Sequence, residues 1–386
     1  MEIGEQIEVD ISAIAHGGHC VARHDGQVIF VRHAIPGERV LVEITGKSKN
    51  FARANCVKVV KASPHRVSPP CKYAHADGCG GCDFQHIELS YQRELKSSII
   101  REQFSRLAKM DIDVVVEEVL PTLHWRSRME FTVSEGKKLA LYSARSNQLI
   151  EIDQCMIASE KIDITEINQS KLPSGKKVDV VISSGGQKEI VIEGRENHAL
   201  IHESVAGRDF SLNPISFWQS HSHAAQTLVD VVQKYAQVRT GDHVFDLYGG
   251  AGLFTGALLD AVGPGGRVTL IESDENAITD AKRNFATDDC VEIVQSRVES
   301  AMKKYVSADV VVLDPPRAGA GAQVISAVTQ LKPRTIVYVA CDPAALARDA
   351  GYLRDQGFVL DEIRAFDLFP MTAHMECVAR FIPQSQ

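Results

Sequence analysis

The chain is poor in aromatic residues, 6% of 386 with two tryptophans, and it has no surplus of positive charge: 42 Lys and Arg stand against 50 Asp and Glu, a formal net charge of −8. A protein that coats nucleic acid along its length needs basic residues in excess to neutralise phosphates, so the overall balance excludes that mode and leaves only local basic faces. No apolar run approaches the roughly 18 residues that span a bilayer. The opening segment MEIGEQIEVD has neither the basic nor the apolar block of a secretory leader. A cytoplasmic protein with no membrane partner is expected. Internal repeats and low-complexity tracts are missing too. The nine cysteines are an odd number without a secretory signal, which ranks metal, cluster or nucleophile roles above a disulfide framework.

With 44% hydrophobic residues the chain can bury a sizeable core, and its length suggests two or three domains. Residues 6 to 60 carry short β-type runs (QIEVDISAIA, HCVAR, QVIFV, RVLVEIT, NCVKVVK) separated by the turn signals HGGH, HDG, IPGE and GKSKN, which predicts a small barrel. Between Arg32 and Arg66 eight basic residues (Arg32, Arg39, Lys47, Lys49, Arg53, Lys58, Lys61, Arg66) face two acidic ones, Glu38 and Glu43, a candidate phosphate-facing patch. The Pro-rich SPHRVSPPC closes this unit. A cysteine-bearing segment follows, then a helix from about Glu88 to Lys109 with Leu95, Ile99, Phe104 and Leu107 on one face. A strand-rich middle, about 112 to 215, reads as an antiparallel domain. From about Phe217 strands alternate with helices, the pattern of a doubly wound α/β sheet. The expected units are 1–64, 65–215 and 216–386, with the helix of the second packed on the third.

HVFDLYGGAGLFTGALL reads as a strand, a turn with Gly249, Gly250 and Gly252, and a helix, and Glu272 closes the next strand, RVTLIE. Glycines let backbone approach a ligand, and an acidic residue at the second strand end can accept hydrogen bonds from ribose hydroxyls. A dinucleotide fingerprint would be G-x-G-x-x-G directly after the strand. Here the order is D-L-Y-G-G-A-G-L, and Asp246 would repel a pyrophosphate but suits a cationic methionine moiety. S-adenosylmethionine is therefore favoured over NAD. Asp314, in VVVLDPPRAGAG, ends a further strand at the edge where such sheets bind ligands.

Cys341 ends the next strand in VYVACDPAALARD, and His374 and Glu376 stand near another strand start in FPMTAHMECVARF. Carbon 5 of uracil is a poor nucleophile. Addition of a thiolate to carbon 6 makes it enolate-like, and after methyl transfer a base must remove the carbon-5 proton. Cys341 as nucleophile and Glu376 as base give each step an owner. Cys71, Cys79 and Cys82, with Cys155 in EIDQCMIAS, are four thiols that suit zinc or an iron–sulfur cluster, and spacing does not decide between them. Arg126 and Arg128 of HWRSRMEF would sit beside them as RNA phosphate or base contacts.

AHGGHCVARHDGQVIFVRHAIPGERV resembles a TRAM domain, an OB-like RNA-binding barrel. DLYGGAGLFT, DPPRAGA, ACDPAALARD and FDLFPMTAHMECVA together resemble the RNA uracil-5-methyltransferase family. The resemblance implies a Rossmann-like class I methyltransferase domain behind an N-terminal OB-like barrel and a central, mostly antiparallel β domain. It implies that Gln219, Tyr248, Glu272 and Asp314 contact S-adenosylmethionine, that Cys341 is the nucleophile and Glu376 the proton acceptor, and that Cys71, Cys79, Cys82 and Cys155 hold a structural [4Fe–4S] cluster. The partner implied is structured ribosomal or transfer RNA; a monomer is expected. Three positions depart from the family pattern: Leu253 stands where an Asn often contacts the cofactor, Asp342 replaces an Asn after the nucleophile, and Met371 replaces a Gln. Related cytosine-5 enzymes carry a Cys directly after the Asp-Pro of the fourth strand; here that loop is DPPR, so uridine is expected. The alternative is an RNA-binding iron–sulfur protein with a vestigial methyltransferase fold.

Overall fold

A computed structural model of the chain describes residues 1–195 and 198–384. The first five strands, β1 (Gln6–Ile14), β2 (Cys20–His24), β3 (Gln27–Arg32), β4 (Arg39–Lys47) and β5 (Phe51–Lys61), close into a barrel in the order β1-β2-β3-β5-β4. Alternation drives closure: Val40, Val42 and Ile44 of β4 point inward and are fully buried while their neighbours are not. The basic stretch is only partly available to a ligand. Arg66 forms a two-pronged pair with buried Glu38, Arg39 pairs with Asp10, Lys47 with Glu2 and Arg32 with Asp83. Half of the expected patch is therefore engaged in ion pairs within the chain.

Helix α1 (Leu89–Gln103) runs on into a wider π turn, Phe104–Ala108, which rotates the register. Leu107, expected on the buried face, is 45% exposed as a result. The buried face of α1 is polar as well as apolar, with Gln92, Lys96, Ser97 and Gln103 among its buried residues. A three-residue strand, β6 (Val116–Glu118), follows.

The central sheet is antiparallel and contains β7 (Arg128–Val133), β8 (Leu139–Tyr142) and β9 (Leu149–Glu151); after the short helix α2 (Ile164–Asn168) come β10 (Lys177–Ile182) and β11 (Lys188–Ile192), in the order β11-β10-β7-β8-β9. A hairpin of β12 (Ile201–Val205) and β13 (Arg208–Leu212) leads into the last unit.

There the chain alternates as α3 (Ala224–Ala236), β14 (His243–Leu247), α4 (Leu253–Val262), β15 (Arg267–Glu272), α5 (Glu275–Asn284), β16 (Val291–Gln295), α6 (Val298–Ala301), β17 (Val310–Leu313), α7 (Gly321–Gln330), β18 (Thr335–Ala340), α8 (Pro343–Asp355), β19 (Phe358–Asp367) and β20 (Glu376–Pro383). The eight-stranded sheet has the order β16-β15-β14-β17-β18-β20-β19-β6. Strands β14 to β18 are mutually parallel, β20 is antiparallel to both neighbours, and β6 joins the edge parallel to β19. One apolar cluster runs without interruption from the barrel through α1 to one face of this sheet, and a second covers the other face with α3, α4 and the β12–β13 hairpin. The barrel is thus docked on the large sheet rather than hung from it.

Candidate active site

The strand order reverses between β14 and β17, which opens a crevice at the carboxyl ends of the parallel strands. Asp246, Tyr248, Glu272, Asp314 and Cys341 all lie at that edge because each ends or follows a parallel strand. Glu376 arrives from the opposite direction. Ala340 of β18 pairs with Cys377 of antiparallel β20, so the next position outward sets Glu376 beside Cys341.

The glycine turn is built for close approach. Tyr248 sits at φ 62 and Gly252 at φ 98, in the left-handed region. A Cβ at Gly252 would lie 2.2 Å from the Phe285 ring, so only glycine fits the start of α4. A narrow crevice of about 40 Å³ is lined by Phe217, Gln219, Tyr248, Gly250, Leu253 and Asp314. Three of the four expected cofactor contacts share this wall. Glu272 stands at the rim, where its carboxylate already accepts from the backbone N–H groups of Gly250 (3.1 Å), Ser273 (2.5 Å) and Asp274 (2.8 Å). With about four acceptor positions on a carboxylate, it has room for one ligand hydroxyl rather than two.

Asp246 does not line the crevice. It is fully buried behind the turn, where Oδ2 accepts from the backbone N–H and hydroxyl of Thr255 and caps α4. Among the described residues its Oδ1 has no partner. Burial pushes its carboxyl up to about 6, and burial with the charge of Asp246 pushes Asp314 up as well. Burial and then Asp314 raise Glu376 well above the carboxylate range. Among the described residues no cation offsets the upward shifts of these three carboxyls, an arrangement that favours a positively charged ligand.

Burial, then Glu376 and Asp314, push the Cys341 thiol up to about 11, while Arg317 opposes the shift. Arg317, in the quoted DPPR loop, is a group the motif reading passed over; its guanidinium lies 3.5 Å from Nε2 of His374. Burial and Arg317 hold His374 down to about 4, so it is neutral near pH 7. Two further elements fix the loops on either side. From α1, fully buried Lys96 donates to Asp367 (2.6 Å) and Phe369 O, and Gln92 accepts from the N–H of Met371 (3.0 Å) and donates to Phe84 and Ile87 carbonyls. From the barrel, His16 reaches Oδ2 of Asp342 at 3.0 Å, and Oδ1 of the same carboxylate caps α8 through the N–H groups of Ala344 and Ala345. The aspartate that departs from the family pattern is therefore both helix cap and barrel anchor.

Four of the eight other thiols, Cys71, Cys79, Cys82 and Cys155, line one cavity of about 240 Å³. Among the described residues, no three His, Cys, Asp or Glu side chains come together as a group that could hold a metal ion, so the four thiols expected to ligate are not gathered as a metal site. Arg126 and Arg128 are not surface contacts. Arg126 lines the cysteine cavity and donates to Arg128 O, and Arg128 donates to the carbonyls of Pro214 and Ser216 beside buried Glu203.

Comparison with known proteins gives a consistent result. A TRAM domain model matches residues 1–57 and a tRNA (uracil-5-)-methyltransferase model matches residues 292–382. A protein of Streptomyces avermitilis described as an uncharacterized RNA methyltransferase is 40% identical, with all of both chains covered, and one of Streptomyces coelicolor is 39% identical over all of this chain and 94% of its own. The crystal structure of Pyrococcus abyssi tRNA (uracil-54, C5)-methyltransferase with S-adenosyl-L-homocysteine has the same fold, at a TM-score of 0.75 and 24% identity over 97% of this chain and 100% of that one.

Proposed function

Since the chain belongs to the RNA (uracil-5-)-methyltransferase family, we propose that it transfers a methyl group from S-adenosylmethionine to carbon 5 of a uridine in structured ribosomal or transfer RNA, with Cys341 as nucleophile and Glu376 as base. The single observation that carries this reading is the pairing of β18 with antiparallel β20, whose register continues to Cys341 and Glu376 at neighbouring positions.

Bound S-adenosylmethionine supplies an electrophilic methyl group on a sulfonium. The Asp314 carboxyl on the crevice wall suits that cation, with buried Asp246 adding negative charge from behind the turn, and Gln219 and Tyr248 would line its path with Glu272 at the rim. Cys341 Sγ adds to carbon 6 of the uracil, and the displaced electron pair is held as an enolate over carbons 5 and 4 and oxygen 4. Carbon 5 then takes up the methyl group. Glu376 removes the carbon-5 proton, and the electron pair left behind restores the 5,6 double bond as the thiolate departs. Barrel 1–64 and segment 65–215 present the RNA, and 216–386 does the chemistry. The target uridine reaches the crevice flipped out of its stack.

Mass spectrometry of RNA from reactions with the purified protein should find 5-methyluridine; methyl groups on cytidine alone would sink the assignment. Because the reactive form of Cys341 is the thiolate and its thiol is pushed up to about 11, kcat/KM should climb with pH, by about tenfold per unit while the thiol prevails. A raised Glu376 adds to the same slope, since it too acts deprotonated. A flat profile from roughly pH 6 to pH 9 would show that neither ionisation limits the reaction.

We also read the cysteine cavity as the seat of a [4Fe–4S] cluster. Four thiols around one cavity match the number of thiolates that such a cluster takes. Arg126 on the wall offsets the negative charge of such a group. Cys155 is the one ligand distant in sequence, so it ties the loop near Gly80 to the central sheet. Anaerobic protein should hold about four irons per chain with matching sulfide. Cys155→Ser should lower both and the protein's resistance to heat; stoichiometric zinc instead of iron would refute the cluster.

A further inference from the structure

A second cavity, of about 240 Å³, lies where the barrel meets the turn after β8 and shares no lining residue with the catalytic crevice. Its walls come from segments far apart in sequence: His19 from the β1–β2 turn, Phe30 and Arg32 from β3, Arg53 and Asn55 from β5, and Arg145 from the turn after β8. We propose that this pocket grips one backbone phosphate and the adjoining base of the RNA strand that leads into the active site, which takes from the reading above only that the partner is RNA.

Charge and shape point to this occupant. Three guanidinium groups converge here, and among the described residues Arg53 and Arg145 form no ion pair; Arg32 shares one carboxylate, Asp83, at 3.5 Å. Burial, with Arg145 next, disfavours the charged forms of both Arg53 and His19, as expected of cations gathered without their anion. An aromatic surface lies alongside. Phe30 and Phe51 meet edge to face at 5.4 Å, and the guanidinium of Arg53 lies 5.2 Å from the centre of the Phe51 ring. Guanidinium groups beside half-buried aromatic rings are what single-stranded nucleic acid binds, with charge for the phosphate and an aromatic or guanidinium plane for the base.

The turn that brings Arg145 is held in place. Arg145 adopts φ 56, a left-handed conformation that arginine rarely takes without a constraint, and such positions gather at ligand clamps. The constraint comes from the cysteine loop. Gly80 N donates to Tyr142 O at 3.0 Å, Cys79 pairs with Ser143, and a Cβ on Gly80 would lie 2.6 Å from the backbone N of Ala144.

The pocket is also adjacent to the chemistry. His16 and His19 belong to one four-residue turn, so their Cα atoms are at most about 10 Å apart. His16 touches Asp342, the neighbour of Cys341, and Gly18 of the same turn packs so closely on Ala373 that an added Cβ would lie 2.3 Å from it. A strand seated in the pocket is a few nucleotides from the nucleophile.

The test is fluorescence anisotropy of a labelled uridine-containing RNA hairpin, titrated with the full chain at several salt concentrations. Arg53→Ala and Arg145→Ala should each weaken binding about tenfold and lower the slope of log K against log salt by about 0.7 to 0.9. Arg145→Lys should restore the slope, and S-adenosylmethionine affinity should not change. Unaltered RNA affinity and slope in the Arg53→Ala, Arg145→Ala double variant would overturn the pocket even if the wild type methylates uridine. Loss of RNA affinity in that variant, with a wild type that leaves uridine unmethylated, would keep the pocket and reject the proposed function. Saturable binding of inorganic phosphate alone, abolished by Arg145→Ala, would make this a free-anion site and overturn the RNA assignment.

Discussion

Replacing Cys341 with alanine should abolish 5-methyluridine formation, by on the order of 10⁴-fold or more, while RNA and S-adenosylmethionine still bind. Without the thiolate, carbon 6 is not attacked and carbon 5 never becomes nucleophilic enough to take the methyl group. The substitution is structurally mild. Cys341 is half-buried and follows the end of β18, and the cap of α8 is made by Asp342 rather than by the thiol. Equal affinities and an unchanged melting temperature would therefore assign the loss to chemistry. If Cys341→Ala still produced 5-methyluridine, no covalent step would be needed and the proposed mechanism would be wrong.

The positions of Asp314 and Cys341 were legible in the sequence because each sits next to a local signal, whereas Gln219 was named only through the family resemblance. A strand that ends in Asp-Pro-Pro or Cys-Asp-Pro must leave the sheet at that point, so Asp314 and Cys341 fall at one edge whatever the details of packing. Legibility fails where a role depends on a partner far along the chain. Nothing local marks His16 as the partner of Asp342, more than three hundred positions away, or Lys96 as the buried partner of Asp367. The eight basic residues of the barrel look alike in sequence, yet Arg66 is consumed by Glu38 and Arg53 is not. Periodicity misled at Leu107, because the π turn after Gln103 breaks the α-helical spacing on which the reading relied. The three residues of β6 carry too short a pattern to announce a strand, and they pair only because β19 offers an open edge. Arg126 and Arg128 are expected from the sequence beside the cysteines as RNA contacts; Arg126 does line the cysteine cavity, but both guanidinium groups donate to backbone carbonyls, Arg128 near buried Glu203.

Replacing Glu376 with glutamine should do something different from the loss of Cys341. The amide keeps the shape of the side chain at the start of β20 but cannot take the carbon-5 proton. Addition of the thiolate and methyl transfer come before that proton is lost, so both can proceed in the variant. The reaction then stops with methylated uracil still joined to Cys341. Turnover should fall by about 10²- to 10⁴-fold. A protein–RNA species that survives denaturing electrophoresis should accumulate, carrying the methyl label from S-adenosylmethionine. The amide also removes an ionisable group from the buried cluster, and Glu376 is the neighbour whose charge, after burial, most raises the Cys341 thiol. The thiolate should therefore form more readily in Glu376→Gln, and adduct formation, unlike overall turnover, should become less dependent on pH. Wild-type turnover in this variant would move the base elsewhere, and neutral His374 beside Arg317 is the next group in reach. An adduct without the methyl label would mean that Glu376 is needed for methyl transfer itself, and its assignment as the final base would fall.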